Sequence, residues 1–558
     1  MNSRFYTYKN VLLAAVLCTA LISSCKKNEP LAPTEPVDTT SVPGTGTRAE
    51  LTKDSIFLYA KQIYLWNDAL PTYGVFKPRQ YNSASNDLDN YEAELFAITQ
   101  IPKNPATGKS YEFNPDNPEF PKYSAITDIT TNNSAQAFVA KERADVELDG
   151  TGYDIGILGL NKIGPNNNYY IYVRAVFQNS PADKAGLTRG TIITKVNGRS
   201  IGTNFNAEVN SINSLFDETR TSSTVSGIKT DGSTFTDIVL NKVKYTSSPV
   251  YKTNTLTVGT KKIGYLALAR FSTLQNNAKA PLDAAFNAFV AEGVTDLVID
   301  LRYNGGGFVS TAEYLINLIA PASATGTMFI EYYNQLMRPF NSSTQKNNAT
   351  ILANQPLLDE NDKPQYNANG TLITYNNINF SPASNTTLMS KKGNLNNVTN
   401  VVFLVSGNTA SASELVINSL KPYMTVKLVG EKTYGKPVGF FPIRLENRYD
   451  VYMSLFETKN SRDEGGYFDG ITPDLVDNNT INFYDDPTHD FGDPNESYLK
   501  NAIGLIAPSA AGKSSSAIMS IRGKKVSVAA TLNSNAGFKT AKQFVGMIEN
   551  RYQSKRNQ

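Results

Sequence analysis

The chain has 558 residues, with 53 Lys and Arg against 50 Asp and Glu and a net charge of +3. The basic residues are scattered among the acidic ones, so no basic face indicates a nucleic-acid partner. A Ser-His-Asp hydrolase would depend entirely on His489, the single histidine of the chain. His489 lies in a polar stretch without a second block of metal ligands, and we expect neither a metal nor another cofactor.

The first 25 residues have the pattern of an export signal. Arg4 and Lys9 precede an apolar run, 11–22, that is too short for an ordinary membrane span. The run ends in Leu-Ile-Ser-Ser-Cys, which resembles a bacterial lipoprotein cleavage box with Cys25 as the lipidated residue. The resemblance implies a lipid anchor in the bacterial cell envelope, with the outer membrane as the expected site and a periplasmic or surface-exposed chain. A cleaved secretory peptide with an incidental cysteine is the alternative.

Two segments precede the β-rich part of the chain. Residues 26–48 are rich in Pro, Thr and Gly and lack periodicity, which predicts a flexible tether. Residues 49–144 contain a mainly helical pattern around the only tryptophan, Trp66, and predict a small N-terminal helical domain.

Residues 145–247 contain a short capped helix that runs into a strand and a tight turn. Ser180 is the predicted N-cap and Pro181 the first helical residue. The strand 190–196 then leads into the turn Asn197-Gly198.

This stretch resembles the most characteristic part of a PDZ domain. The resemblance implies a β-rich domain in which a groove takes a substrate C-terminus as an added strand, with backbone N–H groups holding the carboxylate. Gly156 and Ile157 match the position of that substrate-binding loop. A second helix is predicted at 206–216.

A glycine loop follows the first of three apolar strands in the next region. The strand is predicted at 295–301, the loop is Arg-Tyr-Asn-Gly-Gly-Gly at 302–307, and a helix is predicted at 310–319. Three glycines allow a backbone to approach a substrate closely and to point N–H groups at it. A plain tight turn between strand and helix remains an equal alternative on this pattern alone.

The second strand leads to a serine at a helix start. Valine-rich residues 401–406 predict a strand buried on both faces, and residues 415–420 read as a helix. Ser411 lies between them, at the positive helix end, where N–H groups can hold an oxyanion. A capping box formed by Ser411 and Glu414 is the structural alternative.

The third strand, 425–429, leads to a loop that contains Lys436, 25 residues after Ser411. A lysine can replace histidine as a general base if burial lowers its pKa from about 10.4 toward neutrality. Loops that leave neighbouring parallel strands by their C-terminal ends meet at one edge of a sheet, so we expect the three loops to form one site.

The three blocks together resemble a known family. Asp-Leu-Arg-x-Asn-x-Gly-Gly at 300–307, Thr-Ala-Ser-Ala-Ser-Glu at 409–414 and Thr-Tyr-Gly-Lys at 433–436 look like the signature blocks of the carboxyl-terminal processing, or tail-specific, serine peptidases. The resemblance implies Ser411 as nucleophile and Lys436 as general base. It also implies an oxyanion hole from the N–H groups of Ala412 and Gly306.

The resemblance implies an α/β multidomain fold. A helical domain at 49–144, a PDZ-like domain at 145–247 and an α/β catalytic domain at 248–508 would be followed by a C-terminal extension, 509–558.

Phe440 is a departure from the family pattern, because family members often have a glutamine four residues after the lysine. The function implied by the resemblance is a cell-envelope serine endopeptidase that cleaves unfolded or C-terminally tagged proteins. The alternative motivated by Phe440 is a catalytically weakened, peptidase-like lipoprotein that binds peptides through its PDZ-like domain. A hydrolase of other envelope polymers is a third, weaker reading.

Overall fold

The described part of the chain has the mixed α/β composition that the sequence predicts. The structure, a computed structural model, describes residues 42–115, 117–130, 146, 148–164, 167–217, 219–358, 363–477, 483–508, 520–521, 524–525 and 546–548. The predicted lipidation site Cys25 and most of the C-terminal extension lie outside these residues. Among the described helices, none is both long and apolar enough to cross a membrane.

The N-terminal region is mainly helical, as predicted. Its elements are α1 Arg48–Ile63, α2 Tyr73–Phe76, α3 Asp87–Thr99 and the strand β1 Ala125–Asp128. A capping box starts α1, because the Glu50 N–H donates to Thr47 Oγ1 and the Glu50 carboxylate accepts from the Thr47 N–H. Buried residues of α1 and α3 share one hydrophobic core with residues of the third region, 248–508. The helical region therefore packs directly on the region that contains the predicted site.

The described residues of the second region form an antiparallel sheet, a separate pair of strands and two α-helices. Its elements are β2 Thr151–Asp154, β3 Ile157–Ile163, β4 Tyr170–Val176, α4 Pro181–Lys184, β5 Ile192–Val196, β6 Arg199–Ser200, α5 Phe205–Asn213, β7 Ser222–Ile228, β8 Thr234–Asn241 and β9 Val243–Thr246. The main strand order is β3-β4-β5-β7-β8, and β2 and β9 form the separate pair. Ser180 Oγ caps α4 by accepting from the Asp183 N–H at 3.2 Å, which confirms the predicted capped helix. This sheet has a hydrophobic core of its own.

Within its described residues, the third region contains four α-helices and most of the strands. The helices are α6 Lys279–Glu292, α7 Val309–Ile319, α8 Ala412–Leu420 and α9 Ser497–Ile506. The strands are β10 Val250–Val258, β11 Lys261–Leu268, β12 Asp296–Asp300, β13 Gly306–Phe308, β14 Thr327–Tyr333, β15 Phe340–Asn341, β16 Lys346–Asn347, β17 Thr386–Leu388, β18 Asn400–Val405, β19 Thr425–Gly430, β20 Val438–Gly439, β21 Ile443–Leu445, β22 Tyr449–Tyr452, β23 Phe456–Asn460 and β24 Leu475–Val476.

A six-stranded sheet in the order β10-β11-β12-β18-β19-β24 forms the centre of this region. β10 and β11 are an antiparallel pair, and all later neighbours are parallel. Leu297 and Ile299 of β12 belong to the core that contains α6, α7 and α8, whereas Val298 belongs to the core that contains α9. Burial of both faces explains why these strands read as continuous apolar runs in the sequence.

Smaller sheets surround the central one. β22 pairs with β21 and with β1 of the N-terminal region, and a four-stranded sheet has the order β17-β14-β23-β20. The described residues of the C-terminal extension form three further short strands: β25 Ser520–Ile521, β26 Lys524–Lys525 and β27 Gly546–Ile548. β25 and β26 pair with each other, whereas β27 pairs in parallel with β13, the strand formed by the glycine loop.

Candidate active site

The three loops predicted to converge leave three neighbouring parallel strands. β12 pairs with β18 and β18 pairs with β19, with Ile299 opposite Phe403 and Phe403 opposite Leu428. The glycine loop, the Ser411 loop and the Lys436 loop therefore start at the same edge of the sheet. This part of the prediction is confirmed.

Ser411 has a strained backbone and an unbonded side chain. It is the N-cap of α8 with φ of 61° and ψ of −112°, a conformation that a residue with a side chain rarely adopts. Such strain costs about 1–3 kcal/mol and persists only where the surroundings impose it. Ser411 is fully buried, and its Oγ has no hydrogen-bond partner within the described part of the chain. The backbone around the hydroxyl is thus fixed, but the hydroxyl makes no hydrogen bond that would stabilise the described fold.

The capping-box alternative is met by Glu414 and not by the serine side chain. Glu414 Oε2 accepts from the Ser411 N–H at 2.8 Å, but the Ser411 side chain makes no capping hydrogen bond. Ala412 is the first residue of α8, so its N–H is one of those for which a helix offers no internal acceptor.

Glu414 joins the serine loop to the lysine loop. Its Oε2 also accepts from the Lys436 N–H at 2.8 Å. Its Oε1 accepts from Thr433 Oγ1 at 2.5 Å and from the Gly435 N–H at 2.7 Å. The carboxyl is fully buried, and burial raises its pKa although these hydrogen bonds oppose the shift. Sequence reasoning assigned Glu414 only to a capping box; its side chain in fact fixes both loops.

Lys436 has the properties required of a neutral amine. It is 1% exposed, and burial lowers its pKa to about 7, with Glu112 and Glu414 opposing the shift. Its Nζ donates to the Tyr123 carbonyl at 3.4 Å and lies 4.6 Å above the centroid of the Phe440 ring. The position at which family members often have glutamine is thus occupied by an apolar ring that contributes to the burial of the amine.

Tyr123 and Glu112 belong to the site although sequence reasoning missed them. Tyr123 Oη donates to the Gly435 carbonyl at 2.6 Å, so this residue contacts both the lysine side chain and the lysine loop. Glu112 is fully buried and accepts from the N–H groups of Tyr123 and Ser124. Tyr123 precedes Lys436 by 313 positions, and no local sequence pattern marks such a contact.

Asn304 shapes the glycine loop. Its Oδ1 accepts from the Gly306 N–H at 2.9 Å, and its main-chain carbonyl accepts from Ser413 Oγ at 3.0 Å. Gly306 has φ of 111°, and a Cβ on Gly307 would lie 2.1 Å from the Phe271 carbonyl oxygen, so the loop requires glycine here. The Gly306 N–H, predicted as an oxyanion donor, is thus engaged by Asn304 in this structure.

A buried ion-pair network holds the base of the glycine loop. The Arg302 guanidinium contacts Asp300 at 2.9 Å, Glu496 at 2.6 Å and Asp485 at 3.0 Å. Asp300, Arg302 and Glu496 are almost completely buried. The neighbouring arginines hold the pKa of Asp485 well below its usual range despite burial.

Gly156 and Ile157, the predicted substrate-binding residues, lie at the start of β3. Gly156 has φ of 85°, its N–H donates to Asp154 Oδ1 at 2.5 Å, and a Cβ there would lie 1.9 Å from Ser180 Oγ. Ile157 is buried. β3 ends its sheet, as strand addition requires, but all seven of its residues are buried. A role of these two residues in substrate binding stays a prediction.

His489 lies in a polar loop, as expected. Its Nδ1 lies 2.7 Å from Asp486 Oδ2, and this contact raises the pKa of His489. Within the described ranges, no group of three or more His, Cys, Asp or Glu residues is arranged to hold a metal ion.

Curated relatives align with more than half of the chain. The carboxyl-terminal-processing peptidase 1 of Arabidopsis thaliana chloroplasts is 26% identical over 329 residues, which is 58% of this chain and 56% of the relative. A CtpA-like serine protease of Staphylococcus aureus is 23% identical over 342 residues, which is 61% of this chain and 56% of the relative. The chain therefore spans little more than half the length of these relatives.

A solved structure has the same fold. A Bacteroides fragilis protein assigned to the S41 proteases superimposes with a TM-score of 0.52 at 22% identity, over 81% of this chain and 97% of that one. The model of Peptidase family S41 matches residues 262–476, the segment that holds the glycine loop, Ser411 and Lys436. Residues 262–476 are thus similar to peptidase family S41, and more than half of the chain is similar to C-terminal processing peptidases at low identity.

Proposed function

We propose that the chain is a serine endopeptidase that cleaves unfolded or C-terminally tagged proteins with Ser411 and Lys436. The observation that carries the proposal is the fully buried Lys436 amine, whose pKa of about 7 leaves it largely neutral above that pH. Glu414 accepts hydrogen bonds from the N–H groups of both Lys436 and Ser411. The Ser411 Oγ has no hydrogen-bond partner in the described chain. A free hydroxyl and a neutral amine on joined loops are the two groups that serine-lysine chemistry needs.

In the proposed mechanism, Lys436 Nζ takes the proton of Ser411 Oγ as the oxygen attacks a peptide carbonyl. The N–H of Ala412 and an N–H of the glycine loop stabilise the oxyanion. Collapse of the intermediate breaks the C–N bond, and the protonated Lys436 gives its proton to the leaving amine. A water molecule, deprotonated by Lys436, then releases the acyl group and restores Ser411. Ser411 Oγ is not hydrogen-bonded to Lys436 here, so substrate binding must bring the two groups closer.

The test uses matched pairs of variants with an unfolded protein as substrate. We expect Ser411→Ala and Lys436→Ala each to abolish cleavage, with a double variant little worse than either, because residues that act as a unit lose activity non-additively. Ser419→Ala is the serine control, since Ser419 is buried on the same helix and its Oγ also has no partner among the described residues. Lys391→Ala is the lysine control, because burial lowers the pKa of Lys391 to about 8.

If Lys436→Ala cleaves the unfolded protein as fast as the parent, Lys436 is not the general base. A chain that binds unfolded protein but produces no Ser411-dependent fragments at any pH would favour the second candidate, a catalytically weakened peptide-binding lipoprotein. The observation behind that candidate is Phe440, at the position of the family's glutamine. In either case we propose that residues 145–247, including Gly156 and Ile157, form a PDZ-like module for peptide C-termini.

We further propose that Cys25 carries a lipid that anchors the protein in the bacterial envelope. The supporting observation is the sequence Leu-Ile-Ser-Ser-Cys after a short apolar run. Cys25→Ser should abolish incorporation of labelled fatty acid and release the processed protein from the membrane fraction. Membrane retention of a processed Cys25→Ser chain would indicate a peripheral contact in place of a lipid.

A further inference from the structure

The strand formed by the glycine loop has two edges, and both are occupied. On one edge the Phe271 N–H donates to the Gly306 carbonyl at 2.8 Å, and the Phe308 N–H donates to the Phe271 carbonyl at 2.8 Å. On the other edge lies β27, from the C-terminal extension, in parallel register with Gly546 opposite Gly306 and Ile548 opposite Phe308. The chain thus places its own C-terminal segment along the loop that carries the candidate oxyanion donors.

β27 contacts elements that adjoin both reacting residues. It contacts β20, Val438–Gly439, which begins two residues after Lys436. It also pairs with β13, which packs against the serine helix α8. β27 therefore lies along a strand edge beside both elements, and such an edge is suited to main-chain pairing with an extended peptide.

We propose that the β27-facing edge of β13 is a docking site for an extended peptide and that residues 546–548 of this chain are its resident ligand. Strand addition of this kind is held by hydrogen bonds between main-chain N–H and C=O groups. It therefore tolerates peptides with different side chains. The C-terminal segment then competes with a substrate for the edge. Competition with a substrate rests on the proposed peptidase function, whereas docking of the C-terminal segment does not.

Covalent attachment makes the segment an effective competitor. A tethered ligand binds at an effective concentration set by its linker and not by the amount of protein. A segment that occupies the edge for about two thirds of the time raises the apparent KM about threefold, because only the open fraction binds substrate. Competition within one chain is also unchanged when the protein is diluted.

The kinetic test displaces the segment in the full chain. Gly306 and Phe308 pair with Phe271, so Gly307 faces β27, and a parallel ladder joins Gly307 to the residues on either side of Met547. Ile548→Pro removes one of these strand N–H groups and fixes φ, which disfavours the pairing. We expect KM for an unfolded protein to fall by about threefold or more, with kcat within about twofold of the parent. Ile548→Ala keeps the main chain and should leave KM unchanged. Ile521→Pro disrupts β25, which pairs with β26, and should also leave KM unchanged. An unchanged KM for Ile548→Pro overturns the competition.

A binding test separates this proposal from the proposed function. The probe is a fluorescein-labelled peptide with the sequence of residues 542–551, Lys-Gln-Phe-Val-Gly-Met-Ile-Glu-Asn-Arg. We expect it to bind the full-length Ser411→Ala chain that also carries Ile548→Pro about threefold or more tightly than the chain with Ser411→Ala alone. Equal binding, or none to the displaced chain, overturns the docking site. If no variant cleaves any substrate but the difference in binding remains, the peptidase function fails and the docking site stands.

Discussion

At the scale of single residues, the decisive feature is the cost of charging Lys436. Burial lowers the pKa of its amine from 10.5 to about 7. Below that pH the amine is an ammonium group and cannot accept the serine proton, and above it the neutral base predominates. Activity should therefore rise with pH through an apparent pKa of about 7 and then level off. The measurement is kcat/KM for an unfolded protein between mildly acidic and strongly alkaline pH.

Phe440 provides the variant that tests this cause. The Lys436 amine lies above the Phe440 ring, so Phe440→Gln would replace an apolar neighbour with a hydrogen-bond acceptor for the ammonium form. A hydrogen bond to a charged group contributes about 1.5–3 kcal/mol, so the midpoint should move to higher pH by about one to two units. Phe440→Leu, which keeps the site apolar, should leave the midpoint close to that of the parent. A midpoint that does not move in Phe440→Gln would show that the ring has no part in setting the pKa.

Glu414 is a positioning residue, since it contacts loops and not a substrate. Each carboxylate oxygen of Glu414 accepts two hydrogen bonds, so Glu414→Gln would place an N–H donor against two donors in either orientation of the amide. We expect kcat to fall about tenfold to hundredfold with KM nearly unchanged, because small displacements of reacting groups are costly. The control is Glu431→Gln, since Glu431 accepts from the Gly407 N–H. A rise in KM with kcat unchanged, or an equal fall in kcat in the two variants, would argue against positioning by Glu414.

At the scale of elements, the sequence predicts the strands that carry the site because both of their faces are buried. The predicted strand 425–429 is β19, Thr425–Gly430, and the predicted helix 310–319 is α7, Val309–Ile319. The order of the three loops follows from parallel pairing of neighbouring strands. These features depend on local periodicity and on turn residues, which a single sequence records.

Contacts between distant segments could not be predicted in this way. Tyr123 reaches the lysine loop from the N-terminal region, and β27 reaches the glycine loop from the C-terminal extension. The sequence pattern of neither segment predicts which distant segment it contacts, because such contacts depend on tertiary packing. The many hydrogen bonds of Glu414 were missed for a related reason, since a capping box accounts for only one of them.

The ion-pair network below the glycine loop gives an element-scale prediction for stability. Arg302→Met would leave the buried carboxylates of Asp300 and Glu496 without their partner. Breaking a buried pair in this way costs about 3–5 kcal/mol in the free energy of unfolding. Lys432→Met is the control, because the pair of Lys432 with Asp469 is exposed and worth about 0–1 kcal/mol. Urea unfolding of the third region measures both, and similar losses in the two variants would contradict a stabilising role for the network.

At the scale of the whole molecule, Arg189 joins the second region to the glycine loop. This buried guanidinium donates to Tyr303 Oη at 2.7 Å and to Asp485 Oδ1 at 3.1 Å. It also donates to the main-chain carbonyls of Asp486 and His489. Tyr303 directly precedes Asn304, the residue that shapes the glycine loop. A single side chain of region 145–247 therefore supports the loop that carries the candidate oxyanion donors.

Removal of this contact should loosen the glycine loop without unfolding either region, because each has its own hydrophobic core. In Arg189→Met we expect the amides of residues 304–308 to exchange hydrogen faster, since local opening becomes less costly. We also expect kcat to fall about tenfold, because the oxyanion donors lose their fixed geometry. Arg220→Met is the matched control, since Arg220 lies in the same region and pairs with Asp217 at a partly exposed site. If exchange at residues 304–308 is the same in both variants, region 145–247 does not act on the site through Arg189, and any influence of a bound peptide must take another route.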